Sequence, residues 1–331
     1  VRKLIIAAAM LQIFTIGKLM AQVDPHFSQY YAYPLWLNPA LTGVIDGDLR
    51  LSVNARDQWA TISNGYKTAG LSLDFRPTDK VGIGFNIINQ AAGTAGYNYF
   101  AGYGSFGYGI AVSADGLQKL HFGVQAGFIN RGFDPSSLQF DNQYSNATGF
   151  DPTLPSFENF TNTNATVFDA SAGFFYYDGN PAKNANLFAG VSLAHLTNTN
   201  DPFAYDGINS RLPMRFTAHA GVRIHLSSSV DITPHAVYIS QQNNQIEALG
   251  LYSELKMPAN NGLILGAMYR VNDASVADVG YHINNMVIGF SYDFNNSSLH
   301  PATSGQGGFE LSISYVFRKR LANPAEICPR F

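Results

Sequence analysis

Charge and cysteine are both scarce in this chain of 331 residues: Asp, Glu, Lys and Arg together make up 13%, and Cys328 is the single cysteine. A soluble domain carries roughly 25% charged residues, so a fully hydrated surface is not provided for over this length. One thiol excludes an internal disulfide framework. The net charge of −3 is too small to argue for nucleic acid or anionic lipid as a partner, and no nucleic-acid partner is expected. Beyond residue 22 no apolar run approaches the roughly 18 residues that a membrane-spanning helix needs. Signatures of catalysis are missing as well: there is no His-Glu-x-x-His, no Gly-x-Ser-x-Gly, no phosphate-binding loop and no paired-cysteine zinc site. No catalytic residue, cofactor or metal site is therefore expected.

What is plentiful is Gly (31), Phe (24) and Tyr (18). A lipid-facing wall needs no surface charge and gains from aromatic girdles, so this balance favours a membrane β-barrel over a soluble β-sandwich. The beginning of the chain agrees. Arg2 and Lys3 precede an apolar run from Leu4 to Ile16 and then Leu19-Met20-Ala21, the pattern of a secretory signal peptide over 1–21, too short to cross a bilayer of roughly 30 Å as a helix. Cleavage after Ala21 would leave Gln22 first, and no cysteine follows to carry a lipid.

Alternation with period two recurs in fourteen segments, near 49–57, 68–76, 80–90, 97–112, 119–130, 166–177, 186–196, 213–225, 229–240, 245–256, 262–270, 275–282, 285–294 and 308–317. Apolar rows such as Leu71, Leu73, Phe75 and Phe309, Leu311, Ile313, Tyr315, Phe317 face away from rows such as Ser72, Asp74, Arg76 and Glu310, Ser312, Ser314. In 245–256 either face could point outward. The expected fold is an all-β transmembrane outer-membrane barrel of about fourteen antiparallel strands over 49–317, with 308–317 as the closing strand beside 49–57 and with residues 318–331 as a periplasmic tail. The connections have the right phase: those near Pro77, Ala114, Leu226, Met257 and Ile283 are short, whereas 131–165, 197–212 and 295–307 are long and all fall on the opposite, outer side.

Residues 22–48 do not alternate. Three prolines, Pro25, Pro34 and Pro39, rule out a central strand, while Phe27, Tyr30, Tyr31, Tyr33 and Trp36 demand burial. This segment is expected to plug one end of the barrel or to pack on its periplasmic rim. Asp24, Pro25, Phe27, Gln29, Tyr30, Trp36, Asn38 and Pro39 are its candidate plug or partner contacts. Charge on the lipid face costs roughly 2–4 kcal/mol at mid-membrane, so Arg211, Arg215, Arg223 and Arg270, with Asp231, Asp273, Asp278 and Asp293, are expected to pair inside; Arg215, His219, Arg223, Arg270, Asp273 and Asp293 form the candidate lumen network. His219, His225 and His235 are the best case for a metal cluster, and His195 or His219 with a nearby serine the best case for a hydrolase; filling of the interior is the expected role of all of them. The series Gly102, Gly104, Gly107, Gly109 lies within a strand, where glycine makes room for coiling or for large interior side chains.

Asp24-Pro25-His26-Phe27-Ser28-Gln29-Tyr30, then Leu37-Asn38-Pro39-Ala40-Leu41-Thr42-Gly43 and Arg56-Asp57-Gln58-Trp59, resembles the start of the PorP/SprF family of outer-membrane proteins tied to type IX secretion in Bacteroidetes. The resemblance continues through His195-Leu196, Leu212-Pro213 with Arg215, His219-Ala220-Gly221, Pro234, Gln241, Gly266-Ala267-Met268-Tyr269-Arg270 with Asp273, Gly289-Phe290-Ser291-Tyr292-Asp293, Gly308-Phe309-Glu310 and Cys328-Pro329-Arg330-Phe331. It is weakest in the 131–165 loop. What it implies is an accessory or anchoring barrel with periplasmic termini that supports secretion or surface attachment of a large adhesin, gliding-motility adhesins included. The implied partners are outer-membrane lipid, the adhesin's C-terminal sorting domain and other type IX secretion components. The family offers no catalytic residues to carry over. The competing expectation is a passive diffusion channel or hydrophobic-solute transporter, since fourteen strands with an N-terminal plug also suit uptake.

Overall fold

Alternation puts one row of side chains on each face of a strand, and in the computed structural model the strands close on themselves. The structure describes residues 24–62, 64–145, 149–158, 160, 162–199 and 211–318. Fourteen strands make one closed antiparallel barrel: β1 (Leu49–Gln58), β2 (Tyr66–Phe75), β3 (Val81–Ala92), β4 (Tyr97–Ala111), β5 (Gln118–Gly132), β8 (Asn164–Asp178), β9 (Ala185–Ala194), β10 (Arg215–Ser227), β11 (Val230–Gln241), β12 (Asn244–Met257), β13 (Asn261–Arg270), β14 (Ala274–Ile283), β15 (Met286–Asn295) and β16 (Gln306–Phe317). A separate hairpin, β6 (Tyr144–Ser145) with β7 (Gly149–Phe150), stands in the connection between β5 and β8. Each barrel strand lies within two residues of its sequence-derived bounds. The signal peptide and the tail beyond Arg318 lie outside the described residues.

The seam joins β1 to β16, from Leu49 opposite Phe317 to Gln58 opposite Gly308, so no edge is left unpaired. Leu71, Leu73 and Phe75 are each 39% exposed and Phe128 58%, as an apolar outer wall requires. On the other face Ser72, Asp74, Asn86, His121 and Gln125 are buried. The ambiguity of β12 resolves with Leu249, Leu251 and Leu255 outward and Ala248 and Glu254 inward.

The inner face is not uniformly small or polar: Val237, Ala248, Met268 and Val276 are buried inside, in one cluster with Phe175, Tyr177 and Phe188. Their neighbours are the side chains of residues 30–44, and the apolar strip exists because a segment of chain lies against it.

The ends differ. Connections 76–80, 112–117, 179–184, 228–229, 258–260 and 284–285 share the end where the chain enters β1 and leaves β16. The long connections 133–163, 195–214 and 296–305 share the other, which is hereafter the loop end.

Candidate functional site: the lumen plug

Residues 24–45 run through the lumen. With Pro at their first positions, the short helical turns Pro34–Leu37 and Pro39–Leu41 follow a single 3-10 turn, Tyr30–Ala32, and give the segment the compactness to fit inside a barrel. Nearly every residue from Asp24 to Ile45 is buried. The segment reaches further than either a one-ended plug or a rim packing: Gly47 adjoins Val316 and Phe317 at the short-turn end, while Asp24 is bound to Arg215 and Gln241, the loop-end residues of β10 and β11. Asp24 and Arg318 thus sit at opposite ends of the barrel.

Four polar anchors fix the plug, two toward the loop end, one at mid-height and one at the short-turn end. At the loop end Asp24 accepts from Arg215 Nη1 at 3.0 Å and lies 2.6 Å from His195 Nε2, whose Nδ1 is 3.0 Å from Asp169. Both imidazole nitrogens face acceptor-only carboxylates, so both must donate and the ring is an imidazolium. Burial alone would depress the His195 pKa, but the charge of Asp24 and the bond to Asp169 push it up to about 9. Burial would raise the Asp24 carboxyl; His195 and Arg215 hold it instead well below the usual carboxylate range. Arg215 also donates to the Trp36 carbonyl at 3.1 Å and stacks over the Trp36 ring at 4.8 Å, a geometry that guanidinium planes favour. Tyr103 completes the cluster by donating to Asp169 at 2.8 Å.

Beside it, Asp293 accepts from Ser28 Oγ and Arg56 at 2.8 Å and from Arg270 at 2.7 Å. Arg270 is shared with Asp273 at 2.7 Å. The Glu310 carboxylate takes the backbone N–H groups of Ser28 and Gln29, at 2.6 and 2.9 Å. Pro25 receives the Trp36 indole N–H on its carbonyl at 2.7 Å, which folds the plug back on itself.

At mid-height Asn38 is fully buried. Its oxygen accepts from Ala40 N–H at 2.9 Å, capping the turn that Pro39 begins. Its amide nitrogen donates to the carbonyls of Phe174 and Val191, at 2.9 and 3.3 Å, and lies 3.2 Å from His219 Nε2. At the short-turn end Arg50 and Asp74 pair at 3.0 Å; Asp74 accepts the Gly43 N–H at 2.8 Å and Arg50 donates to the carbonyls of Leu41 and Val44. Buried charges survive in a fold when they are paired and hydrogen-bonded, and here the plug backbone supplies part of that pairing.

The aromatic residues fill what remains. Phe27 packs edge-on to Tyr33, Tyr30 bonds through its hydroxyl to His235 Nδ1 at 2.5 Å, and Trp36 tilts against Tyr103. Spaces of about 30 Å³ near Trp36 and about 70 Å³ near Tyr31 are left between plug and wall, each large enough for water. Backbone meets backbone elsewhere: a Cβ at Gly123 would overlap Ala40 N and the Pro39 carbonyl, and one at Gly82 or Gly107 the Thr42 carbonyl. The glycine series on β4 therefore has separate reasons, for Gly107 faces the plug, Gly109 the His121 ring, and nothing lies within 4 Å of a Cβ at Gly104.

The remaining sequence candidates are dispersed. Arg223 pairs with Asp231, which also binds His225 and Lys256, near the short-turn end. His219 stacks on Phe175 and His235 meets Tyr30, so the three histidines do not converge. Among the described residues no group of three His, Cys, Asp or Glu side chains gathers in metal-binding geometry. Arg211 is not among the interior pairs; it is exposed at the loop end. Asp278 faces the space beside Tyr31, and its Oδ1 has no partner. Sequence reading missed Asp74 and Glu310 as plug receptors and Asp169 as the second carboxylate on His195, although each is an acidic residue on an inward row.

A family model described as type IX secretion system membrane protein PorP/SprF matches residues 19–315. Among solved structures, the Ralstonia pickettii toluene transporter TbuX superposes with a TM-score of 0.53 at 13% identity, covering 87% of this chain and 94% of that one. The CymD monoaromatic hydrocarbon channel gives 0.49 at 12% identity over 87% and 93%, and the Pseudomonas putida toluene transporter TodX 0.48 at 12% over 88% and 94%. No curated protein matches. The TbuX likeness is one of outer-membrane barrel fold alone.

Proposed function

Since the chain belongs to the PorP/SprF family of type IX secretion system membrane proteins, we propose that this outer-membrane barrel is an anchoring component, which holds a large secreted adhesin with a C-terminal sorting domain at the cell surface. The observation that carries the reading is the anchored plug. A lumen filled by residues 24–45, tied at the loop end, at mid-height and at the short-turn end, makes the barrel a rigid post rather than a conduit. Phe27, Tyr30 and Trp36 are engaged inside, which leaves the loop-end connections 133–163 and 195–214 as the surfaces for the secreted partner and the tail after Arg318 as a contact for the machinery. The hydrophobic-solute reading is less well supported, because the spaces beside Trp36 and Tyr31, where plug and wall meet inside the barrel, are only about 30 and 70 Å³.

Deletion of the gene tests the proposal. Surface proteolysis and culture-medium fractionation of the deletion strain should find the adhesin retained inside or shed into the medium. Normal surface display in that strain would sink it. A very long, repetitive exported protein encoded beside this one identifies the adhesin to follow.

A further inference from the structure

The loop end holds a chamber that the plug does not fill. It has a volume of about 650 Å³, within the range of sites for small organic ligands. Its floor is Asp24 and Pro25, and its walls come from the β1–β2 and β3–β4 connections and the adjoining strand ends. Trp59, Tyr66, Tyr97 and Tyr99 line it together with the amides of Asn64 and Gln90. Trp59 and Tyr66 are braced edge to face at 5.7 Å, and Trp59 is held at φ +57°, a left-handed conformation unusual for a bulky residue. Such strain persists only where surrounding structure enforces it; here the Trp59 N–H is pinned to the Gly307 carbonyl at 2.7 Å.

The polar content decides the ligand class. Tyr99 is only 3% exposed, yet its hydroxyl has no hydrogen-bond partner. A buried hydroxyl without a partner is costly, about 1–3 kcal/mol, and one on the wall of a chamber is a donor and acceptor waiting for a ligand. A hydrocarbon would leave that hydroxyl and the Asn64 amide dry, while the Gln90 amide is already held by Thr68 at 3.0 Å. A cation would find Asp24 already neutralised by His195 and Arg215, while Arg131, the other charged residue of the lining, offers N–H donors to ligand hydroxyls or to an acidic sugar's carboxylate. Flat aromatic faces beside neutral hydroxyl and amide groups match a sugar ring, whose C–H faces stack on aromatics while its hydroxyls exchange hydrogen bonds. We propose that this chamber is a saccharide-binding site, open to the outside and sized for one or two hexose rings. The site is independent of the anchoring role. The glycan has two possible sources, a free oligosaccharide or the sugar part of a surface lipopolysaccharide.

The chain's two tryptophans make the test direct, since Trp36 is buried in the plug and Trp59 lines the chamber. The full-length barrel in detergent is titrated with glucose, N-acetylglucosamine, their disaccharides and the core oligosaccharide released by mild acid from lipopolysaccharide, with tryptophan emission as readout; intact lipopolysaccharide in nanodiscs forms a second arm. At least one saccharide should give a saturable change, weakened about tenfold by Tyr99→Phe, which removes one hydrogen-bonding group, and abolished by Tyr66→Ala. Both variants should keep the heat-modifiable gel mobility of a folded barrel. If Tyr66→Ala does not fold, Asn64→Ala at the exposed edge serves instead, with a several-fold loss expected. Free glycan binding as tightly as the lipid-linked form assigns recognition to the sugar alone; binding of the lipid-linked form only makes the lipopolysaccharide glycan the ligand. No saturable change with any saccharide up to roughly 50 mM, or equal affinity in wild type and Tyr99→Phe, overturns the proposal. So does displacement of the signal by toluene or by a peptide copying the residues that precede Asp24.

Discussion

His195 Nε2 lies 2.6 Å from Asp24 Oδ2, and this contact joins the start of the plug to the loop end of the barrel wall. Its partners make it sensitive to pH in both directions. His195 is raised above its ordinary value, to about 9, so its contribution is complete below the unfolded value of roughly 6.5 and is lost as pH rises through about 9. Asp24 is lowered, so its contribution is present above roughly 3.8 and is lost only as pH falls through the depressed value. The tether is strongest between roughly pH 4 and 6.5. In a Trp59→Phe background, Trp36 emission should shift to the red between about pH 7.5 and 9.5, and His195→Gln should remove that transition. A transition unchanged in His195→Gln would show that another group titrates.

Asp293 is the hub between Ser28, Arg56 and Arg270. Asp293→Asn keeps the shape and leaves two buried guanidiniums short of a counter-charge, which costs about 3–5 kcal/mol when one partner of a buried pair is lost. The midpoint of urea unfolding, followed by tryptophan emission, should fall accordingly. Asp115→Asn, on an exposed turn, should leave it within about 0.5 kcal/mol.

Close backbone approach makes Gly123 a test of whether the plug seals the lumen. Gly123→Ala would press on Ala40 and Pro39, costing about 1–3 kcal/mol of overpacking, and is expected to turn a silent barrel into a fluctuating conductance in planar bilayers. Gly104→Ala, with nothing within 4 Å of the added carbon, should stay silent. Steady conductance by the wild type would count against the sealed lumen and favour a channel.

Asn38 offers a distinction between lost and reversed hydrogen bonds. Asn38→Ala removes the cap on Ala40 and the bonds to the Phe174 and Val191 carbonyls, at about 1–3 kcal/mol. Asn38→Asp keeps the cap but turns a carboxylate oxygen toward those carbonyls, and should be the worse of the two. The temperature at which the heat-modifiable gel shift is lost ranks them.

The wall was legible because its rule is local. In Phe309 to Phe317 or Leu71 to Phe75, each residue's face follows from its neighbour two positions away, and a one-residue slip would have placed charge in lipid. β12 resisted that rule because Tyr252 and Ala248 are inward without being polar; their environment is set by Tyr31 and by the cluster around Leu41, which come from more than 200 residues away. For the plug, aromatic density and three prolines announced burial off the sheet. Its direction and receptors were hidden, since Asp24–His195 and Ser28–Glu310 are contacts between residues 171 and 282 positions apart. The pairing of Arg270 with Asp273 lay within one turn and was readable; the preference of Arg56 for Asp293 across the lumen was not.

The two acidic groups that receive Ser28 and Gln29 stand on β15 and β16, the last strands to be made, while their ligands belong to the first part of the chain to emerge. β1 follows the plug directly and must zip to β16 around it. The closed seam and the seated plug therefore share the same two strands. A chain cut short before β15 would hold Arg56 and Arg270 without Asp293 and the Ser28 and Gln29 amides without Glu310, a chemically conspicuous unfinished state. The plug thus ties together segments that lie far apart along the chain, since Ser28 and Gln29 have their receptors more than 260 positions away.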